Sequence, residues 1–483
     1  MKKAYFVQTL TILLILTTSW SYAQTKQTAI QQFINNPTLQ HASIGICVKD
    51  YSGKTIIAHN EQKSLTPASI LKVVTTATAL EILGENYRYA TTLAKDSDHP
   101  NRLIVHGYGD PTLGTEFLDN TPNIFIDQWC DQIGQNMNLA KDLDILVVDD
   151  YFGYDGISHR WIYQDIGNYY ASGTYGISLF DNTYKLYLNT MRNDTCPVIV
   201  RTEPSIDINF RNTLQTNTSG QDNAYIHGIP FSKERLITGD VPSNRSSFRI
   251  KGDIPDPGLL LGETLAKHLS EKNFTIKNVE TTREKFYQHS PKKEKYSFSE
   301  KVFYQHRSFP IRDIIKDTNV RSNNHYAEHL IRTVGRAKNQ DIYASALDEG
   351  IDKTLAFWKE KGLTTEALFM YDGSGLSPAN AVSPLFMCDL LTYMQTKSEY
   401  ANTFLESFPR AGVDGTVKNR LKGTRLAGKV YMKSGSINGV QCFSGYYIEG
   451  EKKYAFTVMV NKFTGSRNQL VKAIDKLLLS LLK

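Results

Sequence analysis

Short runs in which apolar and polar residues alternate lie at the two ends of this chain. Ser43 to Val48 and Lys54 to Ala58 form one pair, around the turn Asp50-Tyr51-Ser52-Gly53. Residues 429–437, 441–449 and 453–461 form a second group, with a hairpin at Glu449-Gly450-Glu451-Lys452. Neither group makes a stable sheet with a buried face alone. The economical solution is one five-stranded antiparallel sheet built from both ends, covered by helices. Helical periodicity supplies the cover. Residues 25–36 form a short amphipathic helix, and the segment after Leu65-Thr66-Pro67-Ala68 runs as a helix to Gly84, with Pro67 in its first turn. Further helices are predicted over 311–318, 323–334 and 342–362, after Ser383-Pro384, and over 466–482.

The middle of the chain has a different pattern. Leu103 to Gly107 and Leu143 to Val148 read as strands and 124–137 as a helix, which predicts a small α/β module. Residues 161–182 are rich in aromatics and glycine and read as a structured loop. Residues 185–252 alternate in strand fashion, and a helix begins after Asp253-Ile254-Pro255-Asp256-Pro257. The expected organisation is α+β. A leader covers 1–23, a domain is assembled from 24–92 and 305–483, and 93–304 form an insertion of two small modules.

Composition adds an address. Lys2 and Lys3 precede an apolar run from Ala4 to Leu16, and Ser21-Tyr22-Ala23 sets small residues before Gln24, the pattern of a signal peptide cleaved near Ala23. The run is short and broken by Gln8, Thr9 and Thr11, so a membrane anchor fits it less well, and the expected location is periplasmic with at most peripheral membrane contact. Loss of the leader removes two lysines and no acid, lowering the formal charge from +6 to +4. That balance is mild and dispersed, and argues against a nucleic-acid partner. The five cysteines are far apart in sequence, and the odd count leaves at least one thiol unpaired. Cys47 and Cys442 sit in apolar strand-like runs and are expected to be buried.

Three short segments carry candidate chemistry. Ser69-Ile70-Leu71-Lys72 puts a hydroxyl at a helix start and an amine one turn on, along the same face. A serine needs an adjacent base, and a lysine serves when burial, a helix N-terminus or a second cation keeps it neutral. Ser322-Asn323-Asn324 opens the helix predicted over 323–334, where serine and asparagine are also ordinary caps. Val430-Tyr431-Met432-Lys433-Ser434-Gly435-Ser436-Ile437 reads as a strand with one lysine followed by small residues, against which a ligand backbone could lie. Singly each segment has an ordinary structural explanation; the order serine-x-x-lysine, serine-x-asparagine, lysine-small-glycine is that of acyl-serine enzymes. In that reading Lys433 keeps Lys72 neutral. Ser322 relays a proton, and Asn324 orients Lys72 and donates to a substrate carbonyl. Lys433 and Ser434 hold a terminal carboxylate, and the N–H groups of Ser69 and Ser436 form an oxyanion hole. Two other patterns compete. His325-Tyr326-Ala327-Glu328-His329 matches an inverted zinc-protease pattern but lacks a readable third ligand, so no metal or other cofactor is expected. Gly423 to Lys429 resembles a phosphate loop, but Val430 replaces the required hydroxyl and a strand follows.

The chain resembles the D-alanyl-D-alanine carboxypeptidase/endopeptidase family, the low-molecular-mass class C penicillin-binding proteins. The resemblance runs from about residue 40 to the C-terminus. It rests on the three motifs and on Gly107-Tyr108-Gly109-Asp110-Pro111-Thr112-Leu113, Asp372-Gly373-Ser374-Gly375-Leu376-Ser377 and Ala411-Gly412-Val413-Asp414-Gly415-Thr416. It implies a penicillin-recognising serine acyl-transferase fold with large inserted domains between the first two motifs. It further implies acylation of Ser69 by peptidoglycan stem peptides with release of D-alanine, cutting of D-alanyl cross-links, and acylation by β-lactam antibiotics. Family members read the diaminopimelate side chain with an acid from the insertion, a role for which Asp165 is the candidate here. Ser434 stands where the family has threonine, which keeps the hydroxyl. The alternatives are a serine β-lactamase and an inactive peptidoglycan-binding protein. Ser322 disfavours the former, because one β-lactamase route needs a tyrosine there, and the intact motif set disfavours the latter.

Overall fold

The strands from the two chain ends meet in a single sheet of order Val430–Ile437, Val440–Glu449, Lys452–Asn461, Ser43–Asp50, Thr55–His59. The structure, a computed structural model, describes residues 24, 26–119, 121, 123–138, 142–153, 155–191, 196–283, 298–336, 341 and 343–483. The leader expected over 1–23 lies outside them. Every neighbouring pair in the sheet is antiparallel, and the central seam joins Ser43 to Asn461 and Asp50 to Tyr454. Alternate residues supply two separate cores. Ile44, Ile46, Val48, Phe456, Val458 and Val460 face the layer made by the first and last helices, 26–34 and Arg467–Leu481. Cys442, Tyr446, Ala455 and Met459 face the other way, into the main helical layer. Both faces are covered, which is why these strands read as nearly continuous apolar runs. Since Val430 and Met432 belong to the first face, Lys433 and Gly435 point into the main helical layer.

That layer is centred on Leu71–Leu83, buried on every side through Leu80. An all-round apolar helix is a core helix, and its buried hydroxyls bond to carbonyls, Thr75 to Gly373 at 2.6 Å and Thr78 to Val74 at 2.8 Å. Around it pack Ile311–Arg321, Asn324–Arg336 and Ala346–Glu360. Pro384–Thr396 lies between this layer and the sheet. The helix expected from 342 begins later because the Ser345 hydroxyl accepts the Asp348 N–H at 3.2 Å and caps it.

The middle of the chain forms its own sheet, of order Ile276–Thr281, Leu143–Val148, Arg102–Gly107, Ala90–Asp96, Glu300–Arg307. The helices Ile124–Asn136 and Pro257–Glu271 contribute to its core. The first and last strands of this excursion, Ala90–Asp96 and Glu300–Arg307, pair antiparallel, so the chain leaves and rejoins the helical layer at one place. Three of the five strands carry no clean sequence signal. Ile276–Thr281 and Glu300–Arg307 are sheet edges whose charged, solvent-facing residues blunt pairing. Smaller sheets follow over 183–253, one of them placing Thr183–Asn189 between Val198–Glu203 and Phe248–Asp253. Cys47 and Cys442 are buried, as their runs predict. Among the described residues no helix is long and apolar enough to cross a membrane.

Candidate active site

Ser69 sits in the single 3-10 turn Ala68–Ile70 that leads into Leu71–Leu83. Ala68 holds φ of 47°, a left-handed conformation that costs a non-glycine residue energy and needs outside support. Two glycines give that support by close approach. A Cβ on Gly375 would stand 2.0 Å from the Ala68 carbonyl oxygen, and one on Gly435 would stand 2.5 Å from that of Pro67 and 2.9 Å from the Ser69 nitrogen. Gly435 is therefore a glycine because the serine turn presses on it, a different reason from ligand access along the strand. Gly435→Ala should move the turn. Overpacking of this kind costs about 1–3 kcal/mol, and a misplacement on the order of 1 Å lowers reaction rates about a hundredfold. A thermal melt and a penicillin acylation rate check both; an unchanged rate would refute the contact.

Lys72 is fully buried. Its Nζ lies 3.0 Å from Ser69 Oγ and donates to Asn324 Oδ1 and to the Ser374 carbonyl, each at 2.6 Å. Burial brings its amine down to about 7, against the opposing pull of Asp372 and Glu328. The Ser374 carbonyl is presented by the loop after Phe369, whose hub is Asp372. Its carboxylate accepts N–H groups from Gly375, Ser377, Asn380 and the Trp161 indole, at 2.6–2.9 Å. Glu328 fixes the same loop from below, accepting the N–H groups of Gly373 and Ser374 at 3.0 and 2.8 Å.

Ser322 is placed otherwise than its motif suggests. It closes Ile311–Arg321 in a left-handed conformation, φ 63° and ψ 39°, before Asn324–Arg336 begins. The junction between two helices turns its hydroxyl to Lys433, whose Nζ donates to it at 2.8 Å and to the Ser434 carbonyl at 2.7 Å. Lys433 is also fully buried. Burial, with repulsion from the Lys72 ammonium, holds its amine well below the ordinary lysine value. Lys72 thus disfavours protonation of Lys433, whereas the Lys72 amine is lowered by burial, and burial is the larger cause for both.

Asn324 accepts from Lys72 and donates Nδ2 to the Tyr170 carbonyl at 2.7 Å, which fixes its amide orientation. One of its N–H groups is thus taken by the protein. Asp165 is one residue removed: its Oδ1 accepts the Tyr170 hydroxyl at 3.0 Å, and burial raises its carboxyl. Ser434 is half-buried, with Oγ 2.9 Å from Thr416 Oγ1. Ser436 is exposed, and its hydroxyl accepts from Arg467, which also donates to the Ile437 carbonyl at 2.7 Å.

The two histidines of the zinc-like pattern face the insertion. His329 Nε2 pairs with Ser178 Oγ at 2.8 Å, and His325 Nδ1 lies 3.4 Å from Ser172 Oγ. Burial pushes His325 down to about 3 and His329 well below its usual value. Among the described residues, no group of three His, Cys, Asp or Glu side chains is placed to hold a metal ion. The segment Gly423 to Lys429 forms turns ahead of Val430–Ile437.

A cavity of about 570 Å³ opens beside this centre, walled by Ser322, Asn324 and Thr416 on one side and Tyr169 and Tyr170 on another. A larger one, about 630 Å³, lies within the insertion between Ile229, Phe231 and Leu260 and includes none of the Ser69, Ser322 or Lys433 groups. The first has Ser322 and Asn324 in its lining, though neither Ser69 nor Lys433, and those two residues assign it to the site.

Comparison with known proteins gives the family and the fold. The model of the D-Ala-D-Ala carboxypeptidase 3 (S13) family matches residues 26–480. The chain belongs to this family. A D-alanyl-D-alanine carboxypeptidase of an Actinomadura species is 25% identical over 461 residues, covering 90% of this chain and 81% of the relative. Penicillin binding protein 4 of Haemophilus influenzae superimposes with a TM-score of 0.74 at 21% identity, over 92% of this chain and 97% of that one. The same protein complexed with a β-lactam gives a TM-score of 0.71 at 20% identity, over the same shares. This chain is therefore a serine-type D-Ala-D-Ala carboxypeptidase of the penicillin-binding family, with the expected penicillin-recognising fold. For the carboxypeptidase, Ser374, Tyr170, Thr416 and Arg467 are site neighbours that residue-type reasoning does not find. The first two act through backbone carbonyls, which any residue carries. Thr416 lies in the quoted Ala411–Thr416 segment, which was the available signal.

Proposed function

We propose that the enzyme works through an acyl-serine intermediate on Ser69, with Lys72 as its base. The observation that carries this is the hydrogen-bond set of Lys72. Two of its partners, the Asn324 and Ser374 oxygens, only accept, so a neutral amine donates both its hydrogens to them. Its lone pair is then left for the third partner, the Ser69 hydroxyl at 3.0 Å. Ser69 Oγ attacks the carbonyl of the penultimate D-alanine as its proton passes to Lys72. The C–N bond breaks, and the proton that Lys72 took from Ser69 passes by way of Ser322 and Lys433 to the departing amine of the last D-alanine, which leaves Lys72 neutral again. Water attacks the ester, Lys72 again takes the proton, and Ser69 is restored.

Lys433, Ser434 and Thr416 hold the substrate's terminal carboxylate, and the N–H groups of Ser69 and Ser436 polarise the carbonyl. Asp165 reads the amino group on the diamino-acid side chain, with Tyr170 holding the carboxylate in place. β-lactams enter as substitutes for the terminal dipeptide and leave slowly. The leader sends the enzyme across the inner membrane to peptidoglycan, where it also cuts D-alanyl cross-links.

The test is product analysis with a pentapeptide stem, paired with intact-mass analysis after penicillin treatment. Release of one D-alanine per stem and one penicillin adduct mapping to the peptide that carries Ser69 are expected. An adduct elsewhere, no adduct, or rapid multiple-turnover hydrolysis of a chromogenic cephalosporin would overturn the reading.

A further inference from the structure

The terminal carboxylate at Ser434 and the scissile carbonyl at the Ser436 N–H fix the direction in which a substrate runs along Val430–Ile437. Its residues on the acyl side pass Ile437 and reach the turn Asn438-Gly439. Two cations flank that end of the strand. Arg467, the first residue of the last helix, donates to the Ser436 hydroxyl and to the Ile437 carbonyl, the latter at 2.7 Å. Lys462 adopts a left-handed conformation, φ 60°, in which its N–H donates to the Gly439 carbonyl at 2.6 Å. Both residues are exposed. Nearby cations of the same layer are paired, Lys429 with Glu449 and Arg420 with Asp475. Among the described residues, neither Arg467 nor Lys462 has a carboxylate within ion-pair distance. The last helix gains nothing from Arg467. A cation in the first turn opposes the positive end of a helix, and this first turn holds no acid. A local rule broken without compensation is expected where a residue serves function.

Resting on the acyl-serine reading, we propose that Arg467, with Lys462 behind it, holds the free α-carboxylate of the γ-linked glutamate in the stem peptide. That glutamate follows the diamino acid on the acyl side. The diamino-acid side chain turns toward Asp165 on the insertion, so the next negative charge along the stem is the one left for the strand's outer end. At about 3.3 Å per residue the glutamate lies roughly 7–10 Å past the Ser436 N–H, the span of Ile437-Asn438-Gly439 along which the two cations sit. A guanidinium takes a carboxylate through two parallel N–H groups, and such charge-assisted bonds are stronger than those it now makes to a hydroxyl and a carbonyl. The charge on the glutamate thereby becomes a mark the enzyme reads. A stem whose glutamate carries an α-carboxamide lacks it.

The experiment measures kcat/KM for D-alanine release from three pentapeptide stems. One has all its carboxylates free, one is amidated at the glutamate, and one is amidated at the side-chain carboxylate of the diamino acid. The ratio of free to amidated stem is read within each variant, so any effect of Arg467 on the Ser436 backbone cancels. The wild type should favour the free stem over the glutamate-amidated one about fivefold, the scale of one exposed ion pair, with the difference in KM. Arg467→Gln should bring that ratio below twofold, and Lys462→Gln and Arg467→Lys should each lower it part of the way. The ratio for the stem amidated at the diamino acid should be the same in the wild type and in Arg467→Gln. A wild-type ratio below twofold, a ratio unchanged in Arg467→Gln, or a change confined to the stem amidated at the diamino acid would each overturn the assignment. The acyl-serine reading fails separately, by absence of a penicillin adduct on Ser69 in the wild-type protein.

Discussion

Lys72→Met should slow penicillin acylation of Ser69 about a thousandfold, within the range that a positioned general base contributes. The pH dependence is the sharper readout. A base must be neutral, and burial holds the Lys72 amine at about 7. Wild-type acylation should therefore rise with pH through about 7 and level off above it. The residual rate of Lys72→Met should show no such step. Stability moves in the same direction. The unfolded chain keeps this lysine protonated up to its ordinary range near 10.5, so the unfolded state binds more protons between about 7 and 10.5. Stability contributed by this group rises with pH across that window, and below pH 7 the penalty of burying the charge is fully present. Acylation rates from pH 5 to 9 decide the matter. A flat wild-type profile, or a Lys72→Met rate within tenfold of the wild type, would remove Lys72 from the base role.

Glu328→Ala should destabilise the protein by about 3–5 kcal/mol, the cost of breaking a buried ion pair by removing one partner. Glu328 and Arg332 are both fully buried, one helical turn apart, with Oε2 2.7 Å from Nη1. The substitution leaves a guanidinium in the core without its carboxylate and strips the Gly373 and Ser374 N–H groups of their acceptor. A fall in Tm on the order of 10 °C is expected for a domain of this size. Acylation should also fall at temperatures where the variant is folded, because the loosened loop no longer holds the Ser374 carbonyl against Lys72. Glu328→Gln, which keeps an acceptor but not the charge, should lie between. Circular dichroism melts and acylation rates at 15 °C check the two parts. A Tm within 3 °C of the wild type for Glu328→Ala would show that the pair is not the anchor it is drawn as.

Much of the site was legible because its chemistry lies in side chains at short, element-compatible spacings. Ser69 and Lys72 share one helical face, and Ser322 and Asn324 flank one junction. The five-stranded sheet followed from two strand groups that each lacked a partner. What was not legible has physical reasons. Lys72 is held by the Ser374 carbonyl, and Asn324 by that of Tyr170, and main-chain oxygens leave no mark on sequence. The low proton affinity of Lys72 was expected from burial, the helix N-terminus and Lys433 together, without a ranking; complete burial by the surrounding helices is the cause that lowers it. Burial of that kind is a property of the assembled layers. Glu328 was noticed only as part of a metal-like pattern. Its actual work, bracing the loop that holds the lysine, depends on a segment some 45 residues away. The strand Glu300–Arg307 was hidden because a sheet edge is charged for the same reason a solvated loop is.

The seam that joins Ser43–Asp50 to Lys452–Asn461 also dictates the order in which the molecule can be finished. Its two strands are roughly 400 residues apart in the chain. During synthesis the first of them is made early and waits, with an apolar face and an unsatisfied edge, until nearly the whole polypeptide has followed. Contacts of such long separation close slowly, after the entropy of a very large loop has been overcome. Meanwhile three neighbouring strands of the inserted sheet, between Ala90 and Val148, pair with one another almost at once, and only its two edge strands come later. The serine turn, however, is braced by Gly435, on a strand of the last fifty or so residues. A nascent chain therefore carries its nucleophile from the beginning but acquires a usable one only at the end. Loss of even the final strand and helix would yield a protein with Ser69, Lys72, Ser322 and Lys433 all present and no assembled centre.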